Sequence, residues 1–273
     1  MKIHNKNSNN SRPSPRDKSR EDSSFIWIAG KNPCLTSIKN KSRQIFEIIV
    51  LKNHYNFICD YLLSNNLKNY LKLVRVVENN FFYNQFSPDF VHQGIAIKAS
   101  KTIIKTQFDL LQELNLIEEK ILLPDILILD QITDPQNVGA IIRSAVAFNF
   151  KKIIFCERNS AKESTSMIKA SAGNIEFAEL YEATNINNLL EKLKELGYWC
   201  IGLAGEGTIN QKAIAQYKNI ALVVGSEGDG IRNLVKKNCD LLVRINMNKA
   251  VESLNVSVAT AIALNEIYSS KNV

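Results

Sequence analysis

The chain has 273 residues, is 45% hydrophobic and carries a formal net charge of +7. That length and apolar content suffice for a full core in one large domain or two modest ones, and no apolar run approaches the roughly 20 residues that span a bilayer. Five scattered cysteines, never in a C-x-x-C pair, argue against a disulfide framework or a zinc site, and the absence of histidine after His92 leaves the C-terminal half without an imidazole base.

Residues 1–24 hold six Lys/Arg and three Asp/Glu and almost nothing apolar, which predicts a disordered basic tail. The tail lacks a signal-peptide core, so an intracellular, cytoplasmic protein with no membrane partner is expected. From Phe25 to Ser100, short apolar runs ("FIWI", "IFEIIVL", "LKLVRVV", "GIAIKA") alternate with a possible helix, "HYNFICDYLL", as in a small α/β domain. This segment has nine Lys/Arg against four Asp/Glu, whereas residues 101–273 have nineteen against twenty. A basic half joined to a neutral half suggests a polyanion-binding domain beside one with other work; a merely solvated Lys-rich surface is the alternative. Residues 101–122, with Ile104, Phe108 and Leu111 at helical spacing, read as an amphipathic linker.

From residue 123 onward the pattern is regular. "ILIL", "KIIFC", "WCIGLA", "IALVV" and "LLVRI" are apolar strands, and "NVGAIIRSAVAF", "INNLLEKLKELG" and "GIRNLVKK" are helices between them. Near-continuous apolar strands alternating with helices predict a parallel sheet covered on both faces. A last helix begins near Asn255, where Val256, Ala259, Ala263 and Ile267 recur on one face.

Three stretches carry the chemistry, each at the end of a predicted strand, where open α/β sheets bind ligands. The first is "DQITDPQNVGAIIRSA". Asp134 and Pro135 open a helix, Asn137 caps or binds, and Arg143 lies on the face of Gly139 and Ala147, which are expected to leave room around its guanidinium, so that it either snorkels outward or meets a ligand. The second is "ALVVGSEGDGI", a strand running into Gly225, Gly228 and Gly230, with Glu227 at its tip either solvated or in contact with a ligand. Glycines there let a backbone approach a ligand. Their G-x-x-G-x-G spacing is not that of a dinucleotide fold, which disfavours a nicotinamide dehydrogenase, and no Gly-Lys-Ser/Thr follows for a phosphate loop. The third is "ESLNVSVATAIALNEI", in which Ser253 and Asn255 are N-cap types.

Taken together, "TDPQNVGAIIRSA", "LVVGSEGDGI" and "INMNKAVESLNVSVATAIAL" resemble the three signature motifs of the SpoU family of RNA ribose 2′-O-methyltransferases, across about 150 residues. "VHQGIAI" and "ERNSAKESTSMIKASAGNIE" resemble the branch that acts on guanosine of 23S rRNA, although "AGKNPC" stands where that branch usually has a His-containing turn. The resemblance implies a trefoil-knotted parallel-sheet methyltransferase domain over residues 123–273, preceded by an α/β RNA-binding domain over residues 25–100. It implies S-adenosylmethionine as cofactor, held by Leu203, Ala204, Gly205, Gly225, Ser226, Gly228, Ile245, Met247 and Leu254. It implies a polar catalytic set of Arg143, Asn137, Glu227, Ser253 and Asn255, no metal, and a homodimer packed through the small residues of the last helix. The RNA is expected to be 23S rRNA; a tRNA enzyme of the same family and a catalytically idle RNA-binding member are the alternatives.

Overall fold

The computed structural model describes residues 24–86, 91–119, 123–248 and 250–271. All but Ser24 of the expected basic tail therefore lies outside the described residues.

The N-terminal unit contains β1 (Phe25–Ala29), α1 (Lys31–Lys39), β2 (Ile45–Leu51), α2 (Tyr55–Ser64), β3 (Val74–Val77), α3 (Asn79–Gln85) and β4 (Ile95–Ser100). Its sheet has the order β1-β4-β2-β3, with β4 antiparallel to both neighbours and β3 parallel to β2. Strand alternation divides the core. Ile26, Ile28, Ile48, Val50, Ile95 and Ile97 pack with Cys34 and Ile38 of α1 and Ile58 and Leu62 of α2. Ala29, Ile49 and Ala96 meet Phe82 of α3 on the other face. The strands fall where the apolar runs predict them; α1 and α3 are additions, and α1 carries Pro33 in its first turn, which masks its helical period.

The C-terminal unit begins earlier than expected. β5 (Ile104–Thr106) pairs in parallel with a strand of the large sheet, and α4 (Gln107–Asn115) follows under a capping box formed by Thr106 and Asp109. The amphipathic segment of the expected linker is thus part of this unit, because the apolar face carrying Leu110 and Leu114 is buried in its core.

The remaining elements are β6 (Ile126–Asp130), α5 (Pro135–Ala147), β7 (Lys152–Cys156), α6 (Thr165–Ala170), β8 (Glu179–Ala183), α7 (Ile186–Glu195), β9 (Trp199–Leu203), β10 (Ile209–Asn210), β11 (Ile220–Gly225), α8 (Asn233–Lys237), β12 (Leu241–Arg244) and α9 (Val256–Lys271). Eight strands in the order β10-β12-β9-β11-β6-β7-β8-β5 form one sheet, and every pairing in it is parallel. β6 and β11 are buried at every position, as expected of central strands covered on both faces. β8 ("ELYEA") escaped the sequence reading because its polar residues interrupt the apolar run that marks the other strands.

Candidate active site

In a parallel sheet all strands point the same way, so the loops that follow them gather at one edge. Here that edge collects the segments after β6, β9, β11 and β12. Gly225, the last residue of β11, lies beside Asp130, the last residue of β6. Leu203 ends β9 between Val224 and Val243.

Three of the expected polar residues meet there, one from each motif. The Asn137 amide Nδ2 donates to Glu227 Oε2 at 3.0 Å, and Asn255 Nδ2 donates to Asn137 Oδ1 at 2.9 Å. Asn255 Nδ2 also lies 3.5 Å from both Glu227 oxygens. Asn255 Oδ1 in turn accepts from the Ser257 amide at 2.9 Å and its hydroxyl at 2.6 Å. Asn255 therefore does two things: its oxygen caps α9, and its nitrogen binds the first motif. The donors run in one direction, from Ser257 through Asn255 and Asn137, and end on the Glu227 carboxylate. An anion at the end of such a chain polarises each bond before it.

The other two members of the set stand apart. Arg143 is exposed on α5 and has no ion pair among the described residues. Ser253 is exposed in the segment before α9 and makes no side-chain hydrogen bond among the described residues. Of the expected cofactor residues, Ala204 donates its amide to Val243 O at 2.9 Å, which fixes the start of the loop after β9. Leu203, Ile245 and Leu254 are half-buried, and Met247 is exposed.

Two glycines act differently from the sequence expectation. A Cβ on Gly139 would lie 2.4 Å from Met167 O and 2.7 Å from Ala170 Cβ, so this glycine lets α5 pack against α6 and does not clear space around Arg143. A Cβ on Gly225 would lie 2.0 Å from Gly230 C and 2.1 Å from Ile231 N. Gly225 thus allows the loop to return over its own base, where Ser226 and Gly230 exchange backbone hydrogen bonds. A Cβ on Gly205, Gly228 or Gly230 would meet nothing within 4 Å, so the backbone there borders open space.

An ion pair also supports this edge and was missed from the sequence. Asp130, fully buried, accepts from the Arg232 amide at 2.9 Å and from its Nε at 2.8 Å. The same carboxylate accepts from the Cys156 thiol at 3.5 Å. Burial pushes that thiol up to about 11, so it remains a neutral donor. The base of the glycine loop is therefore bracketed by Asp130, through β-pairing at Gly225 and through Arg232 beyond its end. The only signal in the sequence is a charge at the close of an apolar strand. Among the described residues, no group of three or more His, Cys, Asp or Glu is placed to hold a metal.

A family model described as the SpoU rRNA Methylase family matches residues 124–265. A Xanthomonas campestris pv. campestris protein, 23S rRNA (guanosine-2′-O-)-methyltransferase RlmB, is 31% identical over 240 residues, covering 88% of this chain and 94% of its own. A Borreliella burgdorferi protein named as an uncharacterized tRNA/rRNA methyltransferase is 34% identical over 72% of this chain and 87% of its own. Among solved structures, the SpoU methyltransferase AviRb from Streptomyces viridochromogenes, in complex with AdoMet, superposes with a TM-score of 0.73 at 16% identity over 92% of each chain, a likeness of fold.

Proposed function

This chain belongs to the SpoU rRNA methylase family and is an RNA methyltransferase, and from that premise we propose that it methylates the 2′-hydroxyl of a guanosine ribose in 23S rRNA with S-adenosylmethionine as donor. The observation that carries the proposal is the hydrogen-bonded set of Asn137, Glu227 and Asn255, which joins residues up to 118 positions apart into one polar site.

S-adenosylmethionine, when bound, supplies a methyl group on a positively charged sulfur. The residues at this edge suit such a group. Gly205, Gly228 and Gly230 leave open space beside the backbone, and the partly covered side chains of Leu203, Ile245 and Leu254 provide apolar surface nearby. Ser226 and Met247 complete the expected lining. The knotted path implied by the family relation belongs to the same proposal.

Arg143 holds the RNA phosphate next to the target ribose through its planar fork. Its positive charge stabilises the alkoxide as the hydroxyl gives up its proton to solvent water. Asn137, Glu227 and Asn255 orient the ribose, and Ser253 stands at the rim. Holding two reactants in line supplies much of the rate.

RNA is the partner, held mainly by the basic N-terminal unit, and a homodimer is proposed through α9. On that helix Val258 is exposed and Ala259 and Ala261 are half-buried, while Thr260, Ala263, Leu264 and Ile267 face the chain's own core. Among the described residues no helix is long and apolar enough to cross a membrane, and the cytoplasm is the proposed site of action. Mass spectrometry of 23S rRNA from cells with and without the protein tests the substrate: loss of one 2′-O-methylguanosine is expected. An unchanged 23S rRNA with a lost tRNA methyl group would move the assignment to tRNA.

A further inference from the structure

The segment "ERNSAKESTSMIKASAGNIE" after β7 does not belong to the site edge; its structural role is to receive the N-terminal unit. Thr165 Oγ1 donates to Trp27 O of β1 at 2.8 Å. Gly173, at φ +83°, would carry a Cβ 3.0 Å from Pro33 Cα and 3.1 Å from Thr36 Cβ, so α1 lies directly against its backbone. One apolar core, including Ile28, Ile38, Met167 and Ile175, runs through the junction.

At the centre of the junction is Arg43, with its side chain 1% exposed. Its Nε donates to Glu176 Oε1 at 2.8 Å and Oε2 at 3.0 Å. Its Nη2 donates to Glu163 Oε1 at 2.7 Å and Thr102 Oγ1 at 2.6 Å, and its Nη1 donates to Ser100 O. The two carboxylates are 5% and 1% exposed. Glu176 also accepts from Ser37 Oγ and Asn40 Nδ2, each at 2.7 Å, and Glu163 from the Thr102 amide at 2.9 Å. One guanidinium fork thus bonds two carboxylates of the C-terminal unit and the backbone at the end of β4. A buried ionic network of this kind adds little net stability over apolar packing, but it admits one geometry. Interfaces between domains commonly leave relative motion free; this one is closed by a bidentate cation.

We propose that Arg43, gripped by Glu163 and Glu176, is a positioning residue for methyl transfer. It fixes the span between the RNA-holding surface of the N-terminal unit and Arg143, and thereby selects which ribose reaches the site. The proposal rests on the assignment of RNA holding to the N-terminal unit. Displacements of about 1 Å far from the reacting atoms can cost on the order of a hundredfold in rate, so play at this joint is read out at the site.

The test uses the full chain, Arg43→Gln, and two RNA probes: a 23S rRNA fragment long enough to reach both units, and a short single-stranded oligonucleotide that occupies the site edge alone. The expected result has three parts. S-adenosylmethionine affinity is unchanged, kcat on the long fragment falls by at least roughly tenfold while the short oligonucleotide is methylated as by the unaltered protein, and mass-spectrometric mapping of the long fragment finds methyl groups on neighbouring riboses. Arg43→Lys keeps the charge but not the fork and gives the same pattern more weakly; it also serves where Arg43→Gln does not fold. If both RNAs lose turnover in parallel, or if long-fragment turnover and the methyl map stay as before, Arg43 has no positioning role. If the unaltered protein binds the two RNAs equally, the N-terminal unit does not hold RNA, and the assignment beneath the proposal falls with it.

Discussion

The two units use strands and helices in similar proportion, yet they dispose their loops differently. In the N-terminal sheet β4 runs antiparallel to both neighbours, so loops leave at both ends. In the C-terminal sheet all eight strands are parallel, and the loops after β6, β9, β11 and β12 reach one edge together. Charge divides the other way. Residues 25–100 carry nine Lys/Arg against four Asp/Glu, and residues 101–273 nineteen against twenty. Parallel topology gathers loops at one edge, whereas the excess of Lys and Arg lies in the unit with the mixed sheet, which is why that unit is the one proposed to meet the phosphate backbone.

The comparison can be broken at the site edge first. Gly225→Val is expected to abolish S-adenosylmethionine binding, because its side chain would enter the backbone of Gly230 and Ile231 and reopen the loop. Retained affinity in a calorimetric titration would show that the loop adapts. The next effect in size is that of Arg143→Ala, expected to lower methyl transfer by at least ~10²-fold, as for loss of a positioned charge-stabilising donor. Cofactor affinity and melting temperature stay constant, since the side chain is exposed; turnover near that of the unaltered protein would remove Arg143 from the mechanism.

On the basic unit, Lys52, Lys68 and Lys72 are exposed. Changing them to Gln is expected to weaken RNA binding without altering cofactor affinity, and to lower the log–log salt slope by ~0.7 for each single-strand phosphate that a lysine no longer neutralises. An unchanged slope would mean that these lysines are ordinary solvated surface.

The smallest effect sharpens the boundary between the units. Glu113 of α4 accepts from Lys105, Lys152 and the Tyr181 hydroxyl at 2.6–2.7 Å. Burial opposes the charge, but those three bonds win and bring the carboxyl down from 4.5 to about 2. A depressed folded value means that the stabilisation is complete above pH 4.5 and is lost as the pH falls toward 2. Glu113→Gln is therefore expected to flatten the acid limb of thermal stability between those values. An identical acid limb in the variant would show that α4 is not tied to β7 and β8 by this carboxylate.

Much of the C-terminal unit was legible because its information is local. Five of its apolar strands, the Asp134–Pro135 helix start and the three motifs are short-range patterns. They pointed to a parallel α/β sheet and to Asn137, Glu227 and Asn255, which the fold brings together. β5, β8 and α4 were not legible as parts of that unit. β5 is three residues long, β8 is interrupted by polar residues, and α4 carries the period of any amphipathic segment. By itself, then, the sequence determined the family, the chemistry and the residues proposed to carry it, since these reside in residue type and spacing. Tertiary structure alone decided that Gly225 serves its own loop, that Asp130 grips Arg232 across 102 positions, and that Arg43 meets Glu176 across 133. Each is an ordinary glycine or charge in the linear chain, and its partner is chosen by strand register and buried geometry, to which no local pattern refers.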